Sequence, residues 1–225
     1  METKQRFGYL EALAAKGMIR QFQKGRTILF QGEVPRSVLA LKKGMIKVYG
    51  ITSNGDQRTV TLLGPGDVLP MSWVTDKAPV CLYYYEALTD CTVLAISKDD
   101  YQLEMNHNTD LRNQMLENYV SHYVGATMHI YALEQSHAQD KLSYLLQYLV
   151  ARFGVVEADG KTKRDLRLSH QDIAEMVGIT RETTAVELHK LKKKGFISYQ
   201  KFTYYVDVPK LIRSTGGDEF ENVRV

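Results

Sequence analysis

The sequence predicts an α+β chain in three parts: a β jelly roll over residues 1–108, a long helix over 109–137 and a winged helix-turn-helix over 138–225. Three observations predict it. Short β-rich runs separated by glycine turns fill residues 27–96, the texture of an all-β sandwich or barrel of jelly-roll type. From about Lys98 to Phe153 the apolar residues follow a helical period instead. Residues 168–197, "LSHQDIAEMVGITRETTAVELHKLKKKGFI", then read as two short helices around a tight turn.

The elements follow in order. Tyr9, Leu10, Leu13, Met18, Ile19 and Phe22 have helical spacing and predict a helix over residues 8–22. The runs "TILFQGE", "SVLALKKG", "MIKVYGITSNGDQRTVTLLGPGD" and "CLYYYEALTDCTVLAIS" supply the strands. Asn54-Gly55 marks a hairpin between "KVYGI" and "RTVTLL", because both residues tolerate the positive φ that hairpin turns need. Gly64-Pro65-Gly66-Asp67 marks another turn. Ser97 is placed to cap a short helix, and Asn108 or Thr109 to cap a long one running toward His137. The long helix carries two stripes. One is Leu111, Met115, Tyr119, His122, Ala126, His129 and Leu133; the other is Leu116, Val120, Tyr123, Thr127 and Ile130. Burial of both stripes requires two partners, the barrel and a second copy of the helix, or else one larger domain. We favour the dimer seam. A further helix, Gln139–Arg152, presents Leu142, Leu145, Leu146, Leu149 and Val150, and "GVVEADGKTKRD" reads as a polar loop.

In the helix pair, Ser169 is placed to cap the first helix and Thr180 the second. Gly178 supplies the left-handed turn residue, and Ala174 is small where the helices cross. Thr184, Leu188 and Leu191 are the expected buried side of the second helix. "FISYQ" and "TYYVDV" flank Lys201-Phe202 as a small β-wing. The net charge of +3 is uneven: residues 161–201 hold ten Lys/Arg against five Asp/Glu, a local +5. A basic module with this motif points to DNA, with the second helix in the major groove. Two packed helices without a ligand would not explain Arg181-Glu182 at one end and Lys192, Lys193 and Lys194 at the other.

The same segment, with "GPGDVL", "ALTDCTVLAIS" and the long helix, resembles the CRP/FNR family of bacterial transcription regulators over nearly the whole chain. The resemblance implies a cyclic-nucleotide-binding-like jelly-roll sensor, a dimerisation helix and a winged helix-turn-helix. It also implies a homodimer on a near-palindromic promoter site, touching RNA polymerase if it activates. Arg181 and Glu182 match the start of the family's recognition helix, where arginine can bond guanine and glutamate can accept from cytosine. Thr180 and Thr183 flank them. Where the family usually has a second arginine, this chain has Val186, which can only touch a thymine methyl. Glu187 stands where the family commonly has an apolar residue, so a slight rotation of the helix is expected. Ser169, His170 and Gln171 are placed to reach phosphates, and Lys201 to do so from the wing. A side chain lying free in solvent is the equal alternative for His170.

Family members that bind cyclic AMP use a Gly-Glu turn for the ribose and an arginine for the phosphate. Here Asp67 stands near the glutamate position and Cys81 at the arginine's, and "CLYYYEA" holds no cation. A buried phosphate without a cation is costly, so cyclic AMP is not expected. Two cysteines, Cys81 and Cys91, make neither a disulfide framework nor a four-thiolate iron–sulfur site. Met71, Trp73, Cys81, Tyr83, Tyr84 and Tyr85 remain as a candidate pocket for an apolar effector, or for a thiol or haem sensor at Cys81. Ordinary core packing is the competing reading. The first histidine is His107, so an imidazole-held metal inside the roll is not expected, nor is an enzyme. A signalling module whose winged domain docks protein is the other rival. No apolar run approaches a membrane span, and the N-terminus lacks a signal-peptide core, so a cytoplasmic location is expected.

Overall fold

The structure is a computed structural model describing residues 9–156, 162–165, 168–200 and 203–216. The chain divides into two compact units, residues 1–119 and 120–225.

The first unit is a two-sheet β roll. Its elements are α1 (Tyr9–Ala14), β1 (Met18–Phe22), β2 (Thr27–Leu29), β3 (Val38–Lys43), β4 (Ile46–Ile51), β5 (Gln57–Leu63), β6 (Val68–Leu69), α2 (Met71–Val74), β7 (Tyr84–Ala87), β8 (Cys91–Ile96) and α3 (Lys98–His107), followed by the start of α4 (Thr109–Glu134). One sheet has the order β1-β8-β3-β6 and the other β2-β7-β4-β5, with every pairing antiparallel. Leu39, Leu41, Val93 and Ala95 face the core between the sheets, with Ile46, Val48, Tyr85 and Ala87 opposite. Val38, Ala40, Leu94 and Ile96 point the other way, into a second cluster with Leu10 and Leu13 of α1, Tyr101 of α3, and Leu111 and Met115 of α4. This sheet is buried on both faces, so its strands read as continuous apolar runs rather than as alternation.

The predicted helix over 8–22 is corrected: only Tyr9–Ala14 is helical, and Met18–Phe22 is an edge strand on β8. Gly17 explains the break. A Cβ there would lie 2.6 Å from Leu94 Cδ1, so the chain turns onto the sheet at a point where only glycine fits. Met18 and Ile19 are exposed. The Asn54-Gly55 hairpin forms between β4 and β5, with Gly55 at φ 84°. Ser97 caps α3 by accepting from the Asp100 N–H, and Asn108 Oδ1 accepts from the Leu111 N–H at 2.9 Å.

The second unit holds the rest of α4, α5 (Ala138–Phe153), β9 (Val155–Val156), β10 (Thr162–Asp165), α6 (His170–Val177), α7 (Arg181–Lys193), β11 (Ile197–Gln200), β12 (Thr203–Val206) and α8 (Val208–Thr215). Helix α5 is its central beam: Leu142 through Val150 are all buried, and it packs on α6, α7 and α8. The segment read as a polar loop contributes β9 and β10, which extend the wing into a sheet of order β11-β12-β10-β9. Leu133, at the end of the first stripe, is 37% exposed in the single chain. Among the described residues, no helix is long and apolar enough to cross a membrane.

Candidate nucleic-acid interface

The geometry of the helix pair follows from its caps. Ser169 and Asp172 form a reciprocal capping box: the Ser169 hydroxyl accepts from the Asp172 N–H and Asp172 Oδ2 accepts from the Ser169 N–H at 2.8 Å. Such a cap contributes about 1 kcal/mol. Gly178 ends α6 at φ 69°, the left-handed conformation that costs a β-carbon-bearing residue strain. The Thr180 hydroxyl then accepts from the Thr183 N–H at 3.1 Å and starts α7.

Helix α7 is sorted cleanly by face. Thr184, Leu188 and Leu191 are buried; each leucine contributes about 1.5–3 kcal/mol by leaving water. Successive residues turn by ~100°, so Glu182, Val186, His189 and Lys193 fall within about 60° of one another on the opposite side. All four are exposed, with Arg181 and Lys190 flanking them. Glu187 lies at the edge of the buried face, its side chain mostly covered, with its carboxylate 2.7 Å from Lys190 Nζ. His189 was not singled out by sequence, and Lys193 was noted only as one of the three lysines closing the helix. The signal was present, because they stand seven and eleven residues after Glu182, two and three turns along one face.

The remaining expected contacts are placed unevenly. Gln171 is exposed at the start of α6, where its amide reaches Glu175. His170 is half-covered, its ring edge-on to Tyr199 of the wing at 6.2 Å. Lys192 folds its ammonium over the Tyr199 ring at 4.6 Å, and Lys194 donates to Gln139 Oε1; Lys193 alone of the three stays on the exposed stripe. The hydroxyls of Ser169, Thr180 and Thr183 are engaged in the caps. Lys201 lies outside the described residues.

Two separate domain models match, "cyclic nucleotide-binding domain" over residues 19–108 and "Crp-like helix-turn-helix domain" over 141–213. The global nitrogen regulator of Synechococcus elongatus is 32% identical over 184 residues, 81% of this chain and 82% of its own length. The chain belongs to the CRP/FNR family of transcription regulators. The global nitrogen regulator of Nostoc is likewise 32% identical, over 85% of this chain and 86% of that protein. The solved structure of a CooA mutant from Carboxydothermus hydrogenoformans shares the fold, with a TM-score of 0.74 at 20% identity over 91% of this chain and 90% of that one. This CRP/FNR protein is therefore a transcription regulator with a helix-turn-helix DNA-binding domain, and its relatives are regulators rather than enzymes.

The candidate effector residues do not converge. Met71 and Trp73 pack on the cluster beneath α4, where Met71 Sδ accepts from Tyr119 Oη at 2.9 Å. Cys81 and Tyr85 lie inside the roll between the sheets. Tyr83 is at the surface, and Tyr84 stacks on Tyr49 at 5.2 Å. Burial pushes the Cys81 thiol up to about 11, so it is no thiolate at neutral pH. Asp67 is occupied: its Oδ2 accepts from the Gly64 N–H at 2.7 Å and its Oδ1 from Asn118 Nδ2 at 3.2 Å, which ties the first half of α4 to the turn after β5. Two clefts of this unit, of about 830 and 320 Å³, lie elsewhere and share Phe22.

Proposed function

We propose that this regulator works in the cytoplasm as a homodimer on a near-palindromic promoter site, reading each half-site with the exposed face of α7. The observation that carries this reading is that face: Arg181, Glu182 and Val186 stand free of the fold while Thr184, Leu188 and Leu191 anchor the helix behind them. Ser169, His170, Gln171, Thr180 and Thr183 line the approach of α6 and α7 to the phosphates. The second stripe of α4 supports the dimer. Leu116, Val120, Tyr123, Thr127 and Ile130 repeat at four- and three-residue steps and are exposed in the single chain, the spacing of a two-stranded coiled-coil seam. Paired long helices would set the two recognition helices ~34 Å apart, one turn of DNA. As an activator the dimer would also contact RNA polymerase.

The effector is not a cyclic nucleotide. The segment that would meet the phosphate, from buried Cys81 through β7, carries no cation, and Asp67 is already bonded. Buried Cys81, with its raised pKa, also gives no support to a thiol or haem sensor at that atom. An apolar effector would shift the population between two arrangements of the dimer.

Selection of bound sites from random DNA, followed by titration of the winner, tests the reading. Arg181→Ala is expected to weaken the selected site about tenfold or more while leaving weak, salt-sensitive binding to arbitrary DNA. Undiminished affinity and sequence preference in the Arg181→Ala, Glu182→Ala double variant would refute it.

A further inference from the structure

The recognition helix lacks a hydrogen-bonding side chain at position 186, yet its exposed stripe continues to His189. We infer that His189 is a base-reading residue, donating an imidazole N–H to a guanine edge in each half-site, one turn further along α7 than Val186. This rests on the DNA-binding reading above.

Four observations carry it. Glu182, Ala185, Val186 and His189 stand at i, i+3, i+4 and i+7, so His189 returns to within ~20° of Glu182 around the helix. Reading over an eight-residue span is within reach of a groove-bound helix, since homeodomain helices use the same i, i+3, i+4, i+7 set. The His189 ring is exposed and forms no hydrogen bond among the described residues, so nothing in the fold holds it back. The neighbours between Glu182 and His189 on this face are small or apolar, Ala185 and Val186, which lets the helix sit deeper than a long arginine would. A neutral imidazole has one donor and one acceptor nitrogen, and a charged one has two donors. Guanine offers two acceptors, N7 and O6, on its major-groove edge. The neighbouring cations are expected to act differently. Lys190 is drawn to Glu187 at 2.7 Å, and Lys193 is long and flexible, suited to phosphate.

Selection from random DNA with the full-length protein tests this, run side by side on wild type, His189→Ala and His189→Arg. All three should show the same circular dichroism and melting, because the residue is on the surface. Wild type and His189→Arg are expected to enrich guanine at one symmetric position per half-site. His189→Ala is expected to lose that preference alone, with the wild-type site weakened about three- to tenfold and the Glu182-dependent pair kept. If His189→Ala selects unchanged sites, or weakens all sequences equally with a shallower salt dependence, the histidine touches phosphate or nothing, and the inference is wrong. If wild type enriches no sequence, the DNA-binding reading itself fails and takes this one with it.

Discussion

Tyr123→Asp is expected to turn the regulator into a monomer and to lower affinity for its full promoter site on the order of 100-fold or more. Tyr123 is 70% exposed in the single chain, between Val120 and Thr127 on the stripe of α4. In a two-fold dimer with parallel long helices, each copy of this residue faces its symmetry mate. An aspartate there would set two like charges against each other in an apolar seam, where each costs several kcal/mol to desolvate. Losing the dimer removes the second half-site's contribution, and linking two sites raises overall avidity by about 10²–10⁴. Mass by light scattering and anisotropy on whole and half sites check both consequences. Because the residue leaves the chain's own core untouched, far-UV circular dichroism should not change. A dimeric Tyr123→Asp protein with full affinity would remove α4 as the seam.

The second large effect concerns the β roll. Gly44→Val is expected to destabilise the first unit by about 3 kcal/mol or more. Gly44 sits at φ 101°, and a Cβ there would lie 2.5 Å from the Asp90 carbonyl oxygen and 2.7 Å from Cys91 Sγ. Backbone strain of that kind costs about 1–3 kcal/mol, and forcing extra atoms into a packed site costs about as much again. Neither neighbour can yield cheaply: Asp90 presents backbone, and Cys91 Sγ is directed at the Met45 and Thr89 carbonyls. Gly55→Ala is the control. Gly55 also has positive φ, at 84°, but a Cβ there meets nothing within 4 Å, so only the backbone term applies, about 1 kcal/mol. Trp73 is the chain's one tryptophan and belongs to the first unit. Its fluorescence therefore reports the roll alone during urea unfolding. Equal midpoints for the two variants would show that the Gly44 contact is not tight.

What could be read from the sequence depended on whether local chemistry or distant packing decided the element. Ser169, Gly178 and Thr180 each announce a cap or a left-handed turn by residue type, and α6 begins and ends, and α7 begins, where those residues stand. The exposed and buried faces of α7 were legible for the same reason, since a long helix repeats its pattern. The strand at Met18–Phe22 was not legible: five residues fit either period, and the choice is made by β8 and by the close pass at Gly17. β10 was hidden by its polar composition and β9 by being only two residues long; both are held by the wing sheet they extend. The effector set failed as a set. Met71 and Cys81 look alike as soft apolar residues, yet they point into different clusters on the two sides of one sheet, which only the register reveals.

His129 sits on the second half of α4, 3% exposed, with Nε2 donating to the Met176 carbonyl at 2.8 Å and its ring parallel to Tyr148 at 5.4 Å. The last turn of α6 thus leans on a side chain from the helix whose apolar stripes and family resemblance point to dimerisation. Anyone excising the reading head at residue 138 would cut away that support, leaving a carbonyl to find water and an aromatic ring laid bare. Such a fragment is expected to melt several degrees below one beginning at residue 120, a comparison that calorimetry on the two pieces settles.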